Sequence, residues 1–379
     1  MNLILSLKGW LNCKSFNSFE LKRILISNTS LPSTKIGSWT NRLSRLIENH
    51  PGFFDYILSP TEKPSDSFLF CTKKKWIPFF PSRFRNWHIL SHVCGQFVNR
   101  FLSLNIQQEK VQVLIMDDLV LLEAFARLKA KGFYFELVFS FHGHSFEFGG
   151  LWSYQVDKVL FLTHLGYEES VKRNDVFTPI VSIVGNGVDS SRFFPLSKEQ
   201  KLARKIELGY QPDSKILIWL SNHRPKKGFH LFKELLKRVM PKFQELEIIV
   251  IGSDFLISDE LPNIRYLGKI PNSELPYFLQ IGDFYAFTSL WKEGFGLSLA
   301  EAAKCGNRIL AANSGGIPEV ISDLPGALLI HHPNILEEWE DALEIAWSER
   351  NSFSPDKEIL DGFQSFENWE TRYLKALGS

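Results

Sequence analysis

From about residue 216 onward the chain alternates short apolar runs with amphipathic stretches, a rhythm that few folds accommodate. Runs at 216–220, 246–251, 264–267, 285–288, 309–312 and 327–330 are short and evenly apolar, as expected of parallel strands covered on both faces. Between them, residues 230–240, 273–280, 297–304 and 336–347 carry helical periodicity. This alternation predicts an α/β fold in which a doubly wound parallel sheet has helices on both faces. Such sheets bind ligands beyond the carboxyl ends of their strands. The positions that follow the runs here are small, polar or glycine: Ser221-Asn222, Gly252-Ser253-Asp254, Ser289 and Asn313-Ser314-Gly315-Gly316.

The first half repeats the pattern more weakly, with expected strands at 3–7, 111–116, 135–141, 159–162 and 180–184, and predicts a second Rossmann-like domain. A length of 379 residues suits two domains, each with its own core. The expected division is an amino-terminal domain over 1–192, a carboxy-terminal one over 193–357, and a last helical segment over 358–379, where Phe366, Trp369, Tyr373 and Leu377 share helical spacing.

A formal charge of +1 provides no whole-molecule field to recruit nucleic acid. Cys13, Cys71, Cys94 and Cys305 form no C-x-x-C pair, which argues against a zinc knuckle or a disulfide framework and for four reduced, buried thiols. Residues 1–11 are apolar but interrupted by Lys8 and Gly9, without a basic leader or a small-residue cleavage site, and read as a first core strand. No run approaches the ~20 apolar residues that span a bilayer. The expectation is a cytoplasmic protein, peripheral at most to the inner face of a membrane.

Two segments carry candidate chemistry in the second half. After the run at 285–288 comes Lys292-Glu293-Gly294-Phe295-Gly296-Leu297-Ser298-Leu299-Ala300-Glu301, in which two acids flank a glycine-punctuated turn entering a helix. The glycines allow close backbone approach to a ligand, and the helix start favours an anion. Ser298 and Glu301 also fit a capping box, and Glu293 could be a surface acid near a positive helix end. The second segment, Ser221-Asn222-His223-Arg224-Pro225-Lys226-Lys227-Gly228, puts cations after a strand and before a helix, where Arg224 could fork onto phosphate oxygens and Lys227 act as a point charge.

In the first half, His142 and His144 follow a strand, but no further ligand cluster supports a metal. Asp118 is placed to cap the helix expected after it. The stretch between Asp66 and Glu109 contains no acid, yet holds Lys73, Lys74, Lys75, Trp76, Phe79, Phe80, Arg83, Arg85 and Trp87. Basic and aromatic residues mixed in this way suit an anionic membrane surface or glycan, or a solvated basic face whose aromatics belong to the core.

Together these residues resemble the group 1 retaining glycosyltransferases of GT-B architecture. Glu293 to Gly306 is similar to the family's E-x7-E segment, Asn313 to Val320 to the stretch that follows, Gly185-Asn186-Gly187-Val188-Asp189 to the interdomain signature, Lys227-Gly228 to the phosphate loop, and His142 to the cleft histidine. The resemblance runs from about residue 139 to 330. It implies two Rossmann-like domains facing a central cleft, with a final helix crossing back to the first.

The resemblance further implies that a sugar passes from a nucleotide-diphosphate sugar to a hydroxyl of a glycan or lipid-linked acceptor, with no metal ion and no cofactor beyond that substrate. A role in cell-surface polysaccharide or lipopolysaccharide synthesis would follow. Carried over, Glu301 would bind the nucleotide ribose and Glu293 the transferred sugar, and the backbone of Gly294, Phe295, Gly296 and Leu297 would lie near sugar and phosphate. Arg224 and Lys227 would neutralise the diphosphate beside Asn222, and His142 would contact the donor sugar.

The sequence departs from the family pattern at three places. Ser221-Asn222-His223 stands where many members read Gly-Arg-Leu, Arg308 stands where proline is common, and only Gly9 remains of a glycine-rich loop after the first strand. Isomerisation or hydrolysis of the nucleotide sugar, or glycan binding without catalysis, are the alternatives.

Overall fold

The computed structural model describes residues 21–32, 38–74, 86–106, 109–252, 263–351, 353–354 and 356–378. The strand expected at 3–7, Gly9, Cys13, Asp254 and the core of the basic aromatic segment, residues 75–85, lie outside them. Two compact units result. One comprises residues 1–162 and 166–184, the other 163–165 and 185–379.

The first unit is built on seven parallel strands: β1 (Leu21–Ser27), β2 (Tyr56–Ser59), β3 (Phe68–Phe70), β4 (Lys110–Met116), β5 (Glu136–Ser140), β6 (Lys158–Phe161) and β7 (Ile180–Ile183), in the order β3-β2-β1-β4-β5-β6-β7. The strands from β4 onward coincide with the expected ones. β1, β2 and β3 were not foreseen from the sequence. In β1 only Ile24, Leu25, Ile26 and Ser27 are buried, while Lys22 at its exposed end bonds Asp55 at 3.1 Å, so its apolar signal is half the usual length. β2 and β3, with four and three residues, are shorter still.

The second unit contains β8 (Lys215–Leu220), β9 (Leu246–Ile251), β10 (Ile264–Gly268), β11 (Phe284–Phe287), β12 (Arg308–Ala312) and β13 (Leu328–Ile330), all parallel, in the order β10-β9-β8-β11-β12-β13. Both sheets are thus doubly wound, as expected. In each, strand order reverses beside the first strand, between β1 and β4 and between β8 and β11, which opens a crevice at the carboxyl ends.

Helix periodicity explains the second core. In Leu336–Ser348 the buried residues Trp339, Ala342, Leu343 and Ala346 recur at three and four positions and face Trp219, Phe232 and Phe284. Fully burying a side chain of this kind contributes about 1.5 to 3 kcal/mol. Phe366–Ala376 forms the expected last helix. It belongs to the second unit, where Val188 bridges Ser365 and a side chain on Gly187 would come within 2.9 Å of Phe366 Cα. Cys71, Cys94 and Cys305 are buried, reduced thiols.

Candidate functional site

The loops after β8 and β11 meet at the second unit's switch point. After β8 the chain forms a 3-10 turn over Pro225–Lys227 and ends in Gly228, whose φ of 72° is left-handed. A Cβ there would lie 1.9 Å from the Thr288 carbonyl oxygen, so only glycine lets the two loops touch. Thr288 reinforces the contact: its Oγ1 accepts from Trp219 Nε1 at 2.9 Å and bonds the carbonyls of Lys227 and Gly228 at 3.0 and 3.1 Å. The Leu290 N–H donates to the Lys226 carbonyl at 2.8 Å.

Lys227 and Glu293 close this junction. Lys227 Nζ donates to Glu293 Oε1 at 2.5 Å, and Ser289 Oγ donates to the same oxygen at 2.5 Å. Glu293 is therefore not an unengaged surface acid, although the sequence offered no partner for it. Its backbone is held as tightly. Gly316 N donates to the Glu293 carbonyl at 2.8 Å, and a Cβ on Gly315 would fall 2.3 Å from that oxygen. The turn from Glu293 through Gly294, Phe295, Gly296 and Leu297 thus lies against the loop after β12, with Phe295 buried and Gly296 left-handed at φ 75°.

Gly296 caps the helix Leu297–Lys304 without a side-chain bond, so the capping box expected of Ser298 and Glu301 does not form. The helix begins two residues too early for Ser298 to serve as its cap. Ser298 Oγ instead accepts from the Tyr285 hydroxyl at 3.0 Å. Burial pushes the Tyr285 phenol far above its ordinary range, and the negative charges of Glu301 and Glu293 push it the same way against the Ser298 bond. Both acids therefore lie within electrostatic reach of one buried hydroxyl. Glu301 is 7% exposed, one turn into its helix. Tyr285 was missed because a tyrosine inside an apolar strand reads as core.

Arg224 does not share the Lys227–Glu293 contact. It is exposed, and its N–H donates to Asn222 Oδ1 at 3.2 Å, so Asn222 shapes the loop. The arrangement leaves a charged fork at the mouth of the crevice and a paired lysine inside it. Arg308, the departure at the start of β12, is at the sheet's opposite end. It is 3% exposed, bonds the Gly326 carbonyl at 3.0 Å and pairs with Glu349 at 2.6 Å, so it fixes packing and does not line the crevice. Glu319 accepts from the N–H groups of His164 and Leu165 at 2.9 and 3.0 Å.

His142 belongs to the first unit, just past β5. Its N–H donates to Asp117 Oδ1 at 2.9 Å, its Nε2 lies 3.2 Å from Ser140 Oγ, and its ring stacks on Trp39 at 5.2 Å. Burial, and then the positive charge of Arg42, push its pKa down to about 3, so the ring is neutral at physiological pH. Nδ1 is buried without a partner among the described residues. Asp118 caps the following helix through the N–H groups of Val120 and Leu121, both at 3.0 Å, as expected.

Of the basic aromatic segment, Lys73 pairs with Asp118 at 2.5 Å, and Trp87 packs on the core beneath Lys131 Nζ, 4.3 Å from its ring. At these two positions the residues serve the fold. Among the described residues no group of His, Cys, Asp and Glu could hold a metal ion, and no helix is long and apolar enough to cross a membrane.

Residues 182–354 match the family model described as glycosyl transferases group 1. Over 175 residues, 44% of this chain, the sequence is 29% identical to the phosphatidylinositol N-acetylglucosaminyltransferase GPI3 subunit of Saccharomyces cerevisiae, covering 38% of that protein. Over 164 residues, 40% of the chain, it is 25% identical to a GDP-mannose-dependent monoacylated alpha-(1-6)-phosphatidylinositol monomannoside mannosyltransferase of Corynebacterium glutamicum, covering 43% of it. The chain thus spans less than half the length of these relatives. In fold it is similar to sucrose-phosphate synthase from Thermosynechococcus elongatus, with a TM-score of 0.70 at 14% identity over 94% of this chain and 98% of that one.

Proposed function

From the premise that this chain is a group 1 glycosyltransferase of the GT-B fold, we propose that it transfers a sugar, with retention of configuration, from a nucleotide-diphosphate sugar to a hydroxyl of a lipid-linked acceptor. The observation that carries the reading is the Glu293 carboxylate, held by Lys227 and Ser289 where the loops after β8 and β11 converge. In this reading Glu301 holds the ribose hydroxyls and Glu293 the hydroxyls of the transferred sugar. The turn from Gly294 to Leu297 presents its N–H groups to the diphosphate, and Arg224 closes over it from the exposed rim.

Leaving-group charge is what such a site must stabilise. Lys227 shares its proton-rich head with Glu293 in the structure described, and a diphosphate arriving beside it would offer a second anionic partner. A charge-assisted contact of this kind contributes on the order of 1.5 to 3 kcal/mol. Aimed at the departing phosphate, it corresponds to roughly tenfold to a hundredfold in rate. With cations in that place, no metal ion is needed to neutralise the diphosphate. The acceptor hydroxyl would attack on the face from which the nucleotide leaves, and a leaving phosphate oxygen would take its proton. In this reading His142, neutral in the first unit, keeps the contact with the donor sugar that the resemblance implies.

The names of both relatives refer to phosphatidylinositol or its mannoside. They favour a lipid-linked polyol over lipopolysaccharide as acceptor class. The test is nucleotide release from a panel of sugar nucleotides with such acceptors. One donor should support release, and Lys227→Ala and Glu293→Gln should each lower kcat by about tenfold or more. Undiminished release in both variants would overturn the site. Rapid conversion of the donor without any acceptor would favour isomerisation or hydrolysis.

A further inference from the structure

Trp291 is 54% exposed on a turn whose neighbours Ser289 and Phe295 are buried. Lys226 Nζ lies 3.8 Å from the centre of its ring. The pair is fixed by backbone: Leu290 N–H donates to the Lys226 carbonyl at 2.8 Å, and Ser289 Oγ reaches that carbonyl at 3.5 Å. A 3-10 turn advances about 120° per residue, so adjacent side chains on Pro225–Lys227 diverge. Lys227 turns to Glu293 and Lys226 to Trp291. One cation therefore faces the crevice and its neighbour faces an exposed indole on the rim.

Residues 221–228 hold Arg224, Lys226 and Lys227 and no acid, Lys292 adds a further cation beside Trp291, and the nearby Glu293 is matched by Lys227. The rim is thus positive as well as aromatic. The Lys226 ammonium covers one face of the indole; the opposite face can pack against the C–H face of a cyclic polyol, and the ammonium selects an anion attached at the ring's edge.

We propose that Trp291 and Lys226 form a subsite for a phosphorylated cyclic polyol, the ring resting on the indole face away from Lys226 and the phosphate reaching round the indole's edge to the Lys226 ammonium. The subsite deepens the transfer reading by giving the acceptor's headgroup a place two residues from Glu293. Because the two residues come from loops that are already bonded together, little ordering accompanies binding.

Calorimetric titration of the full chain with myo-inositol 1-phosphate, glucose 6-phosphate, myo-inositol and glycerol 3-phosphate tests this directly. At least one phosphorylated ring should bind saturably and more tightly than both neutral inositol and the acyclic phosphate. Trp291→Ala should weaken that ligand about tenfold and Trp291→Phe less, while Lys226→Gln should remove the preference for the phosphorylated ring. Nucleoside diphosphate affinity should be unchanged in each variant, which shows that the fold and the crevice survive. Co-sedimentation with phosphatidylinositol vesicles, against phosphatidylcholine alone, separates a lipid-presented headgroup from a free phosphate.

Binding of the phosphorylated ring by Trp291→Ala as by the parent, or binding of neither soluble ring phosphates nor phosphatidylinositol vesicles, overturns the subsite. The outcomes stay separable from those of the transfer reading. Donor turnover with no effect of Trp291 removes the subsite alone, whereas ring binding without nucleotide release from any donor removes the transfer reading alone.

Discussion

At the scale of single residues, the sequence identified the acids and cations but not their partners. Glu293, Glu301, Arg224 and Lys227 stand out because charged residues beside glycine after an apolar run are rarely core. The bond from Lys227 to Glu293 spans 66 positions, and no local pattern encodes it. His142 shows the same limit, since a lone histidine after a strand gives no sign of its protonation. Its folded pKa, lowered to about 3, lies below that of an unfolded histidine. The unfolded chain therefore binds the extra proton first, and the stability from the neutral ring is present above about pH 6.5 and lost as pH falls towards 3. The ring should show no titration between pH 5 and 8 in nuclear magnetic resonance spectra. An inflection near pH 6.5 would contradict the burial on which this rests.

At the scale of elements, strands from β4 onward were legible because both-face burial writes a continuous apolar run. β1 to β3 were not, since their buried portions are only a few residues long. The start of the helix Leu297–Lys304 was legible to the residue, but its capping was not, because Gly296 supplies the left-handed turn and leaves Ser298 to Tyr285. Two contacts between elements invite substitution. Gly228→Ala would drive a methyl group into the Thr288 carbonyl at a left-handed φ, and should cost roughly 1 to 3 kcal/mol in urea unfolding while weakening nucleotide binding. Lys304, 1% exposed, donates to the carbonyls of Leu360, Asp361 and Phe363 at 2.7, 3.0 and 2.9 Å and ties its helix to the segment after Lys357–Gly362. Lys304→Met should cost roughly 2 to 4 kcal/mol, because buried carbonyls lose their donor. A loss below about 0.5 kcal/mol would mean that water replaces the ammonium.

At the scale of the whole molecule, the crevice proposed for the donor is assembled inside one unit, by loops after β8, β11 and β12. A nucleoside diphosphate should accordingly slow hydrogen exchange over residues 221–228 and 289–298 and leave the seven strands of the first unit unchanged. At a hundredfold excess over Kd it should stabilise the second unit by about 2.7 kcal/mol. Uniform protection of both sheets would refute that localisation. By itself the sequence determined the α/β class, the expectation of two domains and the residues with chemical potential, because periodicity, glycine placement and charge are local properties. Only the tertiary structure decided the strand order 3-2-1-4-5-6 of the second sheet, and with it the switch point. It also decided that Lys227 meets Glu293 while Lys226 meets Trp291. These pairings join loops more than sixty residues apart, and they exist only because parallel strands β8 and β11 lie side by side and bring their carboxyl ends together.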